Sequence, residues 1–198
     1  MELKNIFSGI KKFWNYVWHG DSFLSWVLAF ALIFIFVKFI FFPGLSFITG
    51  SEKPLVFIES CSMYHNEWSF DSFWENNNAW YLDHNITKEQ FSKFIHNTGL
   101  NKGDMVLVVK QKSYNVGDII VFDTKGQTQY PIIHRLVSTN PYSTKGDNNP
   151  GQLPDGIEQN IQPEQILGRA TSRVPLIGWA RLIFYEPFRP ASERGFCS

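Results

Sequence analysis

Two hydrophobic patterns follow one another in the first 48 residues. Residues 1–20 carry apolar side chains at spacings of three or four, with lysines between them, which predicts an amphipathic helix of the kind that lies on a membrane surface. Phe23–Phe42 holds twenty residues with a single charge, Lys38, so we expect a transmembrane helix that ends at Pro43-Gly44. A cleaved signal peptide is the alternative, but its apolar core would be shorter, and no cleavage site of small residues follows at the right distance.

Lysines are distributed unevenly around this apolar stretch. Lys4, Lys11 and Lys12 precede it, whereas only Lys53 follows it within about fifteen residues. Because cytoplasmic flanks carry the excess of basic residues, the N-terminus is predicted to be cytoplasmic and the remaining chain extracytoplasmic. The predicted parts are a cytoplasmic amphipathic segment, an anchor with its exit, and an extracytoplasmic domain: 1–20, 21–48 and 54–198.

The chain beyond the anchor is patterned as short strands. Apolar runs of strand length are separated by turn residues, and a Gly-Asp pair precedes two of them. This spacing predicts antiparallel strands in a compact, mainly β domain. The last apolar piece, Val174 to Phe184, contains Pro175 and Arg181, which favours a terminal strand or turn over a second span. The predicted strands are Leu55–Ile58, Met105–Val109, Ile119–Phe122, Ile132–Val137 and Ile166–Ala170.

An aromatic and polar region interrupts the β pattern. Residues 66–85 mix tryptophan, phenylalanine and tyrosine with Asn and Asp, without a clear period. Such aromatic residues could cover a small core or enter the membrane interface beside the anchor, and the sequence favours neither. Thr87 to Gln90 has the spacing of a capping box and predicts one short helix. We interpret residues 66–98 as an insertion into the β domain.

Composition narrows the functional classes. With 44% hydrophobic residues, the 198-residue chain can form one domain with a core and a small additional element. The formal net charge is zero, so nothing in the overall balance favours a nucleic-acid partner. Cys61 and Cys197 match neither a zinc-site spacing nor a disulfide framework, and nothing in the sequence argues for a bridge between them.

Candidate chemistry begins where the first predicted strand ends. Ser60 and Ser62 are two residues apart, so on an extended chain their hydroxyls could reach one carbonyl, with Ser62 attacking and Ser60 stabilising. A serine nucleophile needs a base, and His134 lies inside an apolar run where an imidazole has no obvious packing reason. Asp147 and Asp155, in later turns, could orient that imidazole. Each feature alone also has a purely structural interpretation. The other histidines, in surface-like or helical contexts, are weaker candidates: His19, His65, His84 and His96.

The combination resembles a known family. Ser-x-Ser-Met after a strand, Gly-Asp before two strands, His-Arg inside the next, then Thr-Lys-Gly-Asp-Asn-Asn and Gly-Arg-Ala, are similar to type I signal peptidases. Histidine in place of a lysine base resembles the archaeal and endoplasmic-reticulum branch. The resemblance implies that Ser62 is the nucleophile, that His134 is the general base, and that Ser60 and the Ser62 backbone N–H form the oxyanion hole. It leaves open whether Asp147 or Asp155 orients His134.

This resemblance implies a function. The chain is expected to be a membrane-anchored serine endopeptidase that removes signal peptides from exported preproteins after small residues, without metal or organic cofactor. Its expected partners are signal peptides, the lipid bilayer and the translocation machinery. Cys61 departs from the glycine that the family usually has between the two serines. This departure leaves an inactive relative as an alternative, and a membrane-anchored β domain that binds a surface protein is another.

Overall fold

The computed structural model describes residues 2–65 and 69–197, with side chains from residue 6 onward in the first helix. It divides into two compact units, Met1–Ile48 and Thr49–Ser198. In the first unit, helix α1 (Glu2–His19) confirms the predicted amphipathic helix. A second helix, α2 (Phe23–Phe36), begins at the N-cap Ser22, whose hydroxyl accepts from the Ser25 N–H.

The apolar helix continues beyond the predicted stop. A π-helical turn at Val37–Phe41 leads into α3 (Phe42–Thr49), so the expected end at Pro43-Gly44 is wrong. The Phe42 N–H donates to the Val37 carbonyl in this turn. Such a local π adjustment can accommodate a proline, which has no N–H to donate. The continuous helix Phe23–Thr49 has 27 residues, and within the described chain it is the one helix long and apolar enough to cross a membrane.

The second unit contains a six-stranded antiparallel sheet, which confirms the predicted fold class. The strands are β1 (Leu55–Phe57), β2 (Met105–Val109), β3 (Ile119–Phe122), β4 (Ile132–Thr139), β5 (Tyr142–Lys145) and β6 (Ile166–Val174). Neighbouring strands follow the order β1-β2-β6-β3-β4-β5, so β1 and β5 form the edges. The inner strand β3 is buried along its whole length, because apolar clusters pack on both faces of the sheet.

The aromatic region forms helical structure. Ser69 caps α4 (Phe70–Asp83), which the sequence pattern had not predicted, and the capping box at Thr87 begins α5 (Lys88–Ser92), as expected. Several aromatic side chains of this region are buried together, which for them supports a small core rather than a membrane contact. Trp68 lies outside the described residues. The buried cluster consists of Phe73, Trp74, Tyr81, Ile86 and Phe91.

The chain after β6 returns to the beginning of the domain. A short helix, α6 (Trp179–Leu182), follows the strand, where only a strand or turn was predicted. Two single-turn 3₁₀ helices come next, and the chain reaches Cys197, which forms a disulfide with Cys61. The sequence had left this bridge open without an argument for it, and the structure forms it. The two residues are 136 positions apart, and the fold brings their Cα atoms to 5.6 Å.

Candidate active site

The serine turn begins at the end of β1. Ile58 is buried, and both of its backbone groups are bonded to the turn that precedes β2, since its N–H donates to the Asp104 carbonyl and its carbonyl accepts from the Gly103 N–H. Met63, after the turn, is also fully buried. The residues between these two anchors are partly exposed, so Ser62 is presented at the surface from a fixed base.

His134 lies against this serine. Its Nε2 atom is 2.9 Å from the Ser62 Oγ, a hydrogen-bond distance. The ring is almost fully buried, and it extends from β4 opposite Ile120 of β3. Glycine at position 146 lets the loop backbone lie close to the His134 ring, because a Cβ atom at that position would be 2.8 Å from the His134 Nε2. Two sequence-predicted residues, Ser62 and His134, are therefore in contact.

A third group, Glu158, completes a hydrogen-bonded series. Its carboxylate accepts from the Nδ1 side of the His134 ring and is fully buried. The Thr144 hydroxyl donates to the same carboxylate over 3.1 Å, and the Leu153 N–H donates to it over 2.5 Å. Sequence reasoning missed Glu158. Its position depends on the path of the loop after β5, which returns so that the Thr144 N–H donates to the Glu158 carbonyl, and no local pattern indicates this.

Asp147 binds a different partner. Its carboxylate accepts from Arg135, with the shortest distance 2.6 Å, from the Tyr81 hydroxyl at 2.8 Å, and it lies 2.9 Å from the His65 Nε2. Burial alone would raise the pKa of Asp147, but Arg135 and His65 outweigh it and hold the pKa well below its usual range. His65, expected at the surface, is buried and stacked on Phe73.

The other predicted acid stands apart. Asp155 is exposed in a turn, with φ of 61°. Neither aspartate has the contact with His134 that the resemblance implies, and among the described residues the carboxylate on this ring is that of Glu158. Asp and Asn residues favour such turn conformations, which accounts for Asp155 at that position without a catalytic contact.

Lys145 supports the loop that carries Asp147. Its Nζ donates to the carbonyls of Gly146 and Asp147 over 3.0 and 3.2 Å, and it lies 4.7 Å from the centre of the Tyr81 ring. Burial lowers the pKa of Lys145 to about 8. The lysine thus binds backbone carbonyls behind the site rather than the serine hydroxyls.

The backbone of the serine turn is held from the loop side by Asn148. Its N–H donates to the Ser62 carbonyl over 2.8 Å, and its side-chain amide donates to the Cys61 carbonyl over 3.2 Å. The Ser60 Oγ is 3.2 Å from the Ser62 Oγ, so the two hydroxyls converge as expected. Cys61 is absent from the described residues with positive φ. Its replacement of glycine therefore requires no left-handed backbone.

The geometry of the site is suited to activating a serine hydroxyl. A carboxylate that binds one imidazole nitrogen leaves the other free to accept a proton from a hydroxyl. The order Glu158, His134, Ser62 is thus suited to activate Ser62 for attack on a carbonyl, with Ser60 beside it as a further hydrogen-bond donor. Such a site can carry out acyl transfer.

Comparison with known proteins gives a consistent set of relatives. No family model matches the chain. It is 26% identical over 171 residues to "Signal peptidase complex catalytic subunit SEC11" of Yarrowia lipolytica, covering 81% of this chain and 79% of the relative. The human "Signal peptidase complex catalytic subunit SEC11C" is 25% identical over 181 residues, 83% and 75% of the two chains. The Colletotrichum graminicola SEC11 protein is 26% identical over 171 residues, covering 82% and 81%.

Proposed function

The chain is a homologue of the endoplasmic-reticulum-type signal peptidases, and we propose that it is a membrane-anchored serine endopeptidase that removes signal peptides from exported preproteins after small residues. The observation that carries this proposal is the hydrogen-bonded series from Glu158 through His134 to Ser62. The apolar helix Phe23–Thr49 is consistent with membrane anchoring.

The first step forms an acyl-enzyme. The Ser62 Oγ attacks the carbonyl carbon of the scissile peptide bond while the His134 Nε2 takes the hydroxyl proton. Glu158 keeps the ring oriented and stabilises the imidazolium that forms. The negative charge on the substrate oxygen is stabilised by the Ser60 hydroxyl and the Ser62 backbone N–H. His134 then gives its proton to the leaving amine, and the C–N bond breaks.

The second step releases the signal peptide. A water molecule attacks the Ser62 ester, with His134 again taking a proton and then returning it to the Ser62 Oγ. This restores the enzyme and frees the carboxyl end of the signal peptide. The substrate is proposed to lie extended beside β1, since an edge strand offers unpaired backbone groups and pockets for alternate side chains.

The proposed topology has a cytoplasmic N-terminus and an extracytoplasmic catalytic domain. Two observations support it: the excess of lysines before the apolar helix, and the Cys61–Cys197 disulfide, which is typical of oxidising compartments. The proposed partners are signal peptides, the bilayer and the translocation machinery that delivers preproteins. In this topology, residues 1–20 are the cytoplasmic amphipathic segment, residues 21–48 are the anchor with its exit, and residues 54–198 are the extracytoplasmic catalytic domain.

Cleavage of a preprotein tests the function. The full chain in phospholipid vesicles is incubated with preproteins whose signal peptides end in alanine, and the products are separated on a gel and sequenced. Wild type is expected to cut after the small residue, and Ser62→Ala to lose on the order of a million-fold in turnover. Ser92→Ala, which removes an exposed hydroxyl in α5, is the matched control and should cut normally. Equal cleavage by Ser62→Ala, or none by folded wild type across several preproteins, would overturn the proposal.

A further inference from the structure

Residues 186–197, the C-terminal tail, are fastened to both neighbours of Ser60. On one side, Cys197 is bonded covalently to Cys61. On the other, Arg189 of the tail pairs with the Glu59 carboxylate over 2.7 Å and also donates to the Glu59 carbonyl over 3.0 Å. The backbone of Ser60 is therefore enclosed between two attachments to one segment.

The Glu59 attachment is charge-assisted and partly shielded from water. Arg181, just before the tail, donates to the second Glu59 oxygen over 2.5 Å, so the carboxylate lies between two guanidinium groups. The side chains of Glu59 and Arg189 are 25% and 21% exposed. Charge-assisted hydrogen bonds of this kind hold an orientation better than a fully exposed pair.

The tail is itself anchored to the domain. Its Glu186 pairs with Lys102, which is almost fully buried, and Lys102 also donates to the Glu193 carbonyl over 2.5 Å. The Phe196 ring lies 4.5 Å from the ring of Trp179. The tail can therefore restrain the serine turn, because its other contacts fix it to the chain that leads into β2 and to α6.

Ser60 has no comparable support of its own. Its hydroxyl is exposed, and its described hydrogen bond is the one to Ser62. From the opposite side, Asn148 holds the carbonyls of Cys61 and Ser62 but does not bind Ser60. The orientation of the Ser60 hydroxyl therefore depends on how firmly its two neighbours are held.

We propose that Arg189 and Cys197 are positioning residues, which hold the Ser60 hydroxyl where the oxyanion forms. This inference rests on the proposed function, in which Ser60 donates to that oxyanion. A donor lowers the barrier only when it is already oriented, because a mobile hydroxyl must be ordered during the reaction. The tail thus contributes to turnover without touching substrate.

A double-mutant cycle tests whether Arg189 affects turnover through the Ser60 hydroxyl. Arg189→Ala is expected to lower kcat about ten- to a hundred-fold, less than the roughly hundred- to thousand-fold loss for Ser60→Ala, with KM within about threefold. In the Ser60→Ala background, Arg189→Ala should cost little more, because the donor is already absent. Arg169→Ala, which breaks the pair with Asp118, is the matched control and should leave kcat unchanged.

Other outcomes of the cycle overturn the proposal. Full additivity of Arg189→Ala and Ser60→Ala would mean that Arg189 does not act through the Ser60 hydroxyl. A rise in KM with unchanged kcat would assign the tail to substrate binding. Cys197→Ser with Cys61→Ser is the second variant, expected to behave like Arg189→Ala in the same cycle.

Hydrogen exchange separates this inference from the proposed function. Amide exchange at the two ends of the turn is measured by mass spectrometry in the full chain, with and without a phosphine reductant, because the N–H groups of Ile58 and Tyr64 donate there to the carbonyls of Asp104 and Cys61. Arg189→Ala and reduction should each speed exchange there at least about tenfold, while β3 stays protected. Unchanged exchange at the turn would overturn the proposal that the tail restrains it, even if the enzyme is active. If wild type cuts no preprotein, the proposed function fails, but this readout still decides whether the tail holds the turn.

Discussion

Two buried carboxylates bind the side chains of successive residues of β4, and the two partners differ in chemistry. Glu158 faces His134, whereas Asp147 faces Arg135. Since side chains alternate along a strand, these neighbours extend to opposite sides of β4. Both acids follow β5 in the chain, and both are fully buried.

The partners explain why the two acids suit different tasks. A guanidinium does not act as a proton donor or acceptor in catalysis, so the pair of Arg135 with Asp147 serves to fix the loop that carries Gly146 and Asn148. His134 can take up and release a proton, so the pair with Glu158 can respond during a reaction. Burial of an acid near the active-site residues therefore does not identify a catalytic role, whereas the partner of the acid does.

Removal of the imidazole is expected to have the largest effect. His134→Ala eliminates the base, and kcat should fall on the order of a million-fold, as for the loss of a serine protease histidine. His84→Ala is the control, because it removes a histidine whose ring is exposed and bonded to the Trp80 carbonyl. Preprotein cleavage in vesicles measures both variants. A His134→Ala enzyme within tenfold of wild type would assign the base to another residue.

A smaller change tests the contact between the Asp147 loop and His134. Gly146→Ala adds a Cβ atom that would lie 2.8 Å from the His134 Nε2, so the ring or the loop must move. We expect kcat to fall about a hundred-fold, the cost of misplacing a catalytic group by about 1 Å. Gly151→Ala in the same loop is the control, since the nearest atom to its added Cβ is 4.0 Å away. Equal turnover of both variants would show that His134 tolerates the added methyl group.

Asp147→Asn should mainly change stability. The substitution leaves Arg135 buried beside a neutral amide, and breaking such a pair costs roughly 3–5 kcal/mol in the free energy of unfolding. The folded fraction should retain kcat within about tenfold, because the substitution leaves the Glu158 contact intact. Urea unfolding and cleavage at low temperature measure the two quantities. Glu89→Gln, in the exposed pair with Lys93, should leave unfolding unchanged. A loss of turnover without a loss of stability would contradict the structural role.

The pH dependence of stability gives the finest test of the Asp147 pair. The pKa of Asp147 is lower in the folded chain than in the unfolded chain, because Arg135 and His65 outweigh the effect of burial. Its contribution is therefore present above the ordinary carboxyl pKa of about 4 and is lost as the pH falls through the folded value. The difference in unfolding free energy between wild type and Asp147→Asn should stay constant from about pH 7 to 5, then shrink by at most about 1.4 kcal/mol per pH unit. A difference that shrinks already above pH 5 would contradict this.

Local patterns predicted five of the six strands and the serine turn, but not β5, whose sequence Tyr-Ser-Thr-Lys has no apolar run. Met105–Val109 and Ile119–Phe122 were predicted with the bounds that the structure has, because apolar runs between Gly-Asp turns leave little choice of register. The contact of Ser62 with His134 follows from residue type and family order, although the two are 72 positions apart. These features depend on signals within a few residues or on a resemblance.

The missed features depend on contacts over long separations. Glu158 reaches His134 through the path of a loop, and the partner of Cys61 lies at the other end of the chain. Helix α4 was missed because Asn and Asp residues obscure its period, while its buried face depends on packing against α5. The continuation past Pro43 depends on a π-helical turn, which hydrophobicity alone does not indicate.

The values of kcat for three variants, measured in one preprotein assay, decide which acid orients His134. Glu158→Gln keeps the size of the side chain but removes its charge, so kcat should fall about ten-thousand-fold with KM little changed. Asp155→Asn should match wild type, and Asp147→Asn should stay within about tenfold once corrected for the folded fraction. A ten-thousand-fold loss for Asp155→Asn or folded Asp147→Asn, with near-normal turnover by Glu158→Gln, would contradict the assignment of Glu158.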